Sequence, residues 1–250
     1  MKFKVITSGS KGNVTMLRVK DKVYLIDIGI SYTRVKNLLS MYKVDKIDGI
    51  FITHRHNDHV RGLNVMAKRT DSKVFISEGT YEELREKDFE PNIVKPYDEI
   101  YLDDLCVTPI EISHDTTEPL GYIFKHGDKK LVYVTDTGYI HMKNKELLED
   151  ADGYIFESNH NVEMLMKNPK YPWSLRRRII SDDGHLSNEQ AADYLKDLIG
   201  EKTKVVVLAH LSEENNTEEC ALNTVGTILN NDRIELTAAT QTGGSKVYEL

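Results

Sequence analysis

The sequence predicts a four-layer αββα sandwich, two mixed β-sheets packed together with helices on both outer faces, formed by residues 1–250 as a single domain. Three observations carry that prediction. The two halves of the chain share a layout, a strand-rich stretch followed by strands and helices in alternation, as two similar helix-covered sheets would require. Short apolar runs recur and end in glycine or a polar residue, as buried strands do. With 250 residues, 40% of them hydrophobic, the chain can bury a large core without disulfide staples.

Taken in order, residues 2 to 28 read as three short strands. The turn Ser8-Gly9-Ser10-Lys11-Gly12-Asn13 separates the first pair and Lys20-Asp21-Lys22 the second. Val35, Leu38, Leu39 and Tyr42 have helical spacing. The apolar run Ile47 to Ile52 is a buried strand, followed by a helix from His59, a strand at Lys73–Ile76 and a helix over 78–87. Residues 93 to 134 are strand-rich, with a hairpin turn at His126-Gly127-Asp128-Lys129. A helix at 143–149 precedes the strand Gly153–Phe156. Pro169, Pro172 and an arginine run make 161–184 read as irregular. A helix over 188–199, a strand from Lys204 to Leu208, a helix over 218–229 and two short strands complete the chain. There is no solenoid-type period and no low-complexity linker.

Bulk properties narrow the function classes. No run approaches the roughly 18 apolar residues that span a bilayer, and the N-terminus, Met1-Lys2-Phe3-Lys4-Val5, reads as a strand rather than a secretory signal. The two cysteines, Cys106 and Cys220, predict a reduced, cytoplasmic protein. A net charge of −7 argues against a nucleic-acid partner, with two counterweights. Acidic residues that bind two divalent ions would be offset by about four positive charges, and basic residues concentrate locally at Arg176-Arg177-Arg178.

The richest chemistry lies in Thr53-His54-Arg55-His56-Asn57-Asp58-His59, directly after a buried strand. Imidazole and carboxylate together suit zinc, and suit manganese or iron less selectively. His54 and His56, two apart at the end of an extended segment, leave the same face. Asp58 and His59 follow after the chain turns, so one segment can serve two adjacent metals. His114, Asp136 and His210 each sit just past an apolar strand, where ligands on one rim of a sheet sandwich belong.

The set His54-x-His56-x-Asp58-His59, then His114, Asp136 and His210, resembles the metallo-β-lactamase superfamily in its dinuclear hydrolase form. That resemblance implies one metal on His54, His56 and His114, a second on Asp58, His59 and His210, and Asp136 bridging them. It also places Asp27 behind the cluster, as a support for its ligands. A pair of metals can share a hydroxide and clamp the attacking and leaving oxygens of an in-line displacement. No cysteine ligand is present. Gly184-His185-Leu186-Ser187-Asn188 resembles the tRNase Z segment that supplies a catalytic histidine, and Phe156-Glu157-Ser158-Asn159-His160 resembles the strand-end glutamate that partners it. A Glu157–His185 pair suits protonation of a leaving alkoxide, which with Asp58 completes the candidate catalytic set. Ser187 and Gln190 have capping-box spacing, so a helix begins there, and its free N–H groups would make a phosphate site.

A nearer resemblance is to the YycJ/WalJ-like branch, through Ser8–Asn13, Glu157–His160, Val162–Leu165, Tyr171-Pro172 and Gly184–Asn188. It implies a 5′-to-3′ DNA exonuclease with a role in repair, using two divalent ions, zinc or manganese, with iron a further option. The interval from Asp136 to His210 is too short for the inserted domain of the β-CASP nucleases. The interval from His114 to Asp136 leaves room for a hairpin but not for a tRNase Z arm. Arg176, Arg177 and Arg178, with Tyr171 and Trp173, would grip phosphates and stack on bases, or else form a solvated segment with Trp173 packed inward. His160 would support Glu157 or join Ser187 in contacting substrate; His126 and His141 read as surface residues. The competing reading is hydrolysis of a small ester, thioester, lactone or cyclic phosphodiester.

Overall fold

A computed structural model describes all 250 residues. The first sheet contains β1 (Lys2–Thr7), β2 (Val14–Val19), β3 (Lys22–Ile26), β4 (Gly49–Phe51), β5 (Lys73–Ile76), β6 (Pro91–Ile93) and, from the far end of the chain, β14 (Tyr248–Glu249). The second contains β7 (Ile100–Leu102), β8 (Leu105–Glu111), β9 (Leu120–His126), β10 (Lys129–Val134), β11 (Gly153–Glu157), β12 (Val205–Ala209) and β13 (Glu235–Ala238). Their orders are β14-β1-β2-β3-β4-β5-β6 and β13-β12-β11-β10-β9-β8-β7. In each sheet an antiparallel meander gives way to parallel strands, at β3–β4 and at β10–β11. The repeated layout read from the sequence is this repeat.

Three apolar layers hold the sandwich together. Between the sheets, Phe51 packs on Tyr122 and Phe124 with ring centroids 5.4 and 5.3 Å apart. Each such ring contributes about 1.5–3 kcal/mol of burial. On the outer face of the first sheet lie α1 (Tyr32–Ser40), through Val35 and Leu39, and α3 (Leu63–Thr70), through Leu63 and Met66. On the second lie α5 (Lys145–Leu148), α8 (Asn188–Leu198) and α9 (Glu218–Leu229), through residues such as Leu148, Leu195 and Val225.

Several expected boundaries move. The helix expected from His59 begins at Asn57 and breaks at Gly62 into α2 (Asn57–Val60) and α3, so Asp58 and His59 lie in a first helical turn. The helix expected over 78–87 is only α4 (Glu78–Glu83). The stretch expected to be irregular contains two helices, α6 (Val162–Lys167) and α7 (Trp173–Ile179). Asn161 caps α6, accepting from the Met164 N–H, and Pro172 is the N-cap of α7. The prolines that read as breakers therefore punctuate two short helices, at positions where proline costs no internal hydrogen bond. The capping box of Ser187 and Gln190 is formed as expected.

Candidate metal centre and active site

Parallel neighbours carry their C-terminal ends to the same rim, and the candidate ligands sit there. Asp27 follows β3, Thr53 and His54 follow β4, Asp136 follows β10, Glu157 ends β11 and His210 follows β12. Asp27, Asp136 and His210 are all left-handed, with φ of 60°, 57° and 56°. That conformation costs about 1–3 kcal/mol for a residue with a side chain. It turns the chain sharply at the strand end, and local hydrogen bonds hold it. The Asp27 N–H donates to the Phe51 carbonyl (2.9 Å) and the His210 N–H to Ser8 Oγ (2.8 Å). The end of β4 is pinned to the opposite sheet by Tyr122 Oη, which donates to the Ile52 carbonyl at 2.6 Å.

Gly29 lets the Asp58–His59 turn approach. The Asp58 carbonyl accepts from Asn13 N–H (2.8 Å), and a Cβ on Gly29 would overlap that same oxygen. Gly29→Ala is therefore expected to destabilise the fold by about 1–3 kcal/mol. It should also lower bound divalent metal, because Asp58 and His59 must move together. A denaturant titration with elemental analysis checks this, and unchanged stability would contradict the packing described.

The predicted ligands converge. His54, His56 and His114 form one group whose donor atoms lie within 4.8 Å of one another, and Asp58, His59 and His210 form another. Asp136 lies between them, Oδ2 at 3.3 Å from His59 Nε2 and Oδ1 at 3.9 Å from His114 Nε2. The donor set fits divalent metal. His210 Nε2 and Asp136 Oδ2 are buried with no hydrogen-bond partner, a state that costs about 1–3 kcal/mol per group unless a cation takes the lone pair.

The electrostatics differ across the centre. Burial, reinforced by neighbouring imidazoles, pushes His54 well below its ordinary pKa and His56 to about 4, leaving neutral rings with lone pairs to donate. At His59 burial is outweighed by Asp136, Asp27 and Asp58, which raise it to about 9. His210 is raised well above its ordinary value, because Asp136, Asp58 and Glu157 outweigh its burial. This half of the centre draws positive charge, and a divalent ion supplies more of it than a proton.

Glu157 has two duties. Its Oε1 lies 2.8 Å from His185 Nδ1 and 3.1 Å from His210 Nδ1, while Oε2 accepts from the N–H groups of Thr137 and Leu186. Burial disfavours its charge, but the His185 and His210 imidazoles hold its carboxyl well below the usual range. Asp27 likewise accepts from His59 Nδ1 (2.7 Å) and from Thr53. His185 is 20% exposed and lines a cleft of about 240 Å³ together with His56, Asp58, His114 and Asp136. Leu175 and Arg178 of α7 form one of its walls.

Other candidates are placed differently. His160 and Ser187 form a backbone bridge away from the cleft, and neither lines it. Ser187 Oγ caps α8, and the Asn188 N–H donates to the His160 carbonyl. The guanidinium of Arg176 is engaged by the carbonyls of Tyr171, Met166 and Asn168. Arg177 is exposed, and Trp173 is 57% exposed rather than packed inward. His126 and His141 lie outside the cleft, half-buried.

Sequence reasoning missed the supports. Asn13 Nδ2 lies 3.0 Å from His59 Nε2 and 3.4 Å from Asp58 Oδ2, and Ser10 lines the cleft. The Ser8–Asn13 motif was visible, but its partners lie some fifty and two hundred residues downstream at Asp58 and His210. Asp115, beside His114, was also passed over.

Comparisons with known proteins identify the family. A family model described as "Beta-lactamase superfamily domain" matches residues 23–211. The chain is 37% identical over 238 residues to exodeoxyribonuclease YycJ of Bacillus anthracis, covering 91% of this chain and 88% of that one. It is 35% identical over 229 residues to exodeoxyribonuclease WalJ of Streptococcus pneumoniae, covering 88% and 85%. Among solved structures, the metallo-β-lactamase fold protein YhfI of Bacillus subtilis superposes with a TM-score of 0.75 at 16% identity, covering 100% of this chain and 99% of that one. The family model and the relatives together show that the chain belongs to the β-lactamase superfamily and, within it, to the family of YycJ and WalJ.

Proposed function

We propose that this protein is a dinuclear metal-dependent phosphodiesterase that degrades DNA from the 5′ end, in the cytoplasm and in the service of repair. The observation that carries the reading is the cleft itself, in which His56, His114 and His210, His185 backed by the buried Glu157, and Arg178 face one space. The relatives named exodeoxyribonuclease support the polymer, and the direction and repair role follow from family resemblance. His54, His56 and His114 would hold one ion, Asp58, His59 and His210 a second, with Asp136 available to both; zinc or manganese suits these donors. Ions bound there would supply Lewis acidity, towards a phosphodiester and towards a water molecule, at neutral pH.

The remaining work belongs to side chains. Asp58 Oδ2, 3.6 Å from His59 Nε2 and 3.7 Å from His210 Nε2, orients the attacking water and takes its proton. His185 donates Nδ1–H to Glu157, which leaves Nε2 to deliver a proton to the departing sugar oxygen. Arg177 and Trp173, exposed on α7, suit a phosphate and an unstacked base.

The test is a cleavage time course on 5′- and 3′-labelled single- and double-stranded DNA, RNA and small model esters, with zinc and manganese supplied separately. Mononucleotides released from the 5′ end of DNA are expected. Turnover confined to the small esters would replace this reading with that of a small-molecule hydrolase.

A further inference from the structure

A histidine that ligates a metal through one ring nitrogen is held in place by a partner on the other. Four of the five ligand histidines have that partner. His54 Nδ1 meets Thr53 Oγ1 at 3.0 Å, and His59 Nδ1 meets Asp27 Oδ2 at 2.7 Å. His114 Nδ1 meets the Gly184 carbonyl at 3.3 Å, and His210 Nδ1 meets Glu157 Oε1 at 3.1 Å. His56 is the exception and the most exposed of the five, at 25%.

The geometry identifies which His56 nitrogen faces the metal. Nδ1 lies 3.0 Å from His54 Nε2 and 3.2 Å from His114 Nε2, so these three atoms form the ligand triangle. Nε2 must then carry the proton. The carboxylate facing it is Asp115, whose Oδ1 lies 3.5 Å from His56 Nε2. That Oδ1 is buried and makes no hydrogen bond. The other oxygen, Oδ2, accepts from Arg178 Nε at 2.6 Å and is also gripped by Nη2 of the same guanidinium.

We propose that Asp115 and Arg178 are positioning residues that brace the metal ligand His56, and so tie the α7 wall of the cleft to the metal centre. Asp115 orients the ring and Arg178 orients Asp115. The inference rests on the dinuclear reading above. It also means that a phosphate drawn to Arg178 competes with Asp115, so substrate and metal site communicate through one guanidinium.

The test is a titration of metal-stripped protein with Zn²⁺ against a chromophoric chelator, with folding of each variant checked by thermal melting. Wild type is expected to bind two ions. Asp115→Asn, nearly isosteric, should weaken one of the two by about 10-fold or more. Arg178→Ala should weaken the same ion by a smaller factor, and Arg178→Lys should restore part of it. The double variant should lose no more than Asp115→Asn alone, since the two act in series. Wild type binding two ions, with Asp115→Asn unchanged in both within about twofold, overturns this proposal alone. Wild type binding fewer than two ions overturns the dinuclear reading and this proposal with it.

Discussion

Asp136→Asn is expected to abolish nuclease activity, with a loss of about 10³-fold or more in kcat, and to leave the protein short of metal. The side chain is buried, with Oδ2 turned towards His59, and Oδ1 3.2 Å from His210 Nδ1 and 3.9 Å from His114 Nε2. It therefore faces both ligand groups. Asparagine keeps the shape but removes the charge, so two divalent ions would be held close together without the anion that offsets their repulsion. Losing several kcal/mol of charge stabilisation corresponds to about 10³-fold in rate. The φ of 57° favours asparagine over other replacements, so a lost fold does not explain a lost activity. Elemental analysis should find fewer than two ions per chain beside a melting curve near that of wild type. Full metal content with kcat within about tenfold of wild type would remove Asp136 from the bridging role.

His185→Ala is expected to keep its metal and lose about 10²–10⁴-fold in kcat on DNA, the range for one general acid. His185 Nδ1 is committed to Glu157 at 2.8 Å, which leaves Nε2 as the atom able to deliver a proton in the cleft. A second substrate separates this role from a structural one. A sugar alkoxide leaves poorly without a proton, whereas p-nitrophenolate leaves readily. Hydrolysis of bis-p-nitrophenyl phosphate should therefore fall far less than DNA cleavage. Equal losses on both substrates would show that His185 positions groups rather than protonates a leaving oxygen. Glu157→Gln should be more disruptive than His185→Ala towards metal, because Glu157 also holds His210 at 3.1 Å.

Much of the site was legible before the chain was folded. The cluster at 53–59 announced itself by residue type and by its place after an apolar run, and His114, Asp136 and His210 by theirs. Such signals survive in sequence because strand burial is periodic and local, and because ligands belong at strand ends. Helix starts were legible where a cap stands next to its partner, as at Ser187 and Gln190. They are hidden where proline opens a helix and does not only break one, as at Pro172 ahead of α7.

By itself, then, the sequence determined the layered fold and pointed to seven candidate ligands just past the ends of apolar strands. Only the tertiary structure decided which groups hold those ligands still. It gave Glu157 to His210 as well as to His185, set Ser8 behind His210 and Asn13 beside the Asp58 carbonyl, and buried His160 and Ser187. It also brought Arg178 across the cleft to Asp115. The reason is distance along the chain. Periodicity and motif spacing record contacts between near neighbours, whereas each support joins segments that meet only when two sheets pack and their parallel strands end on a common rim.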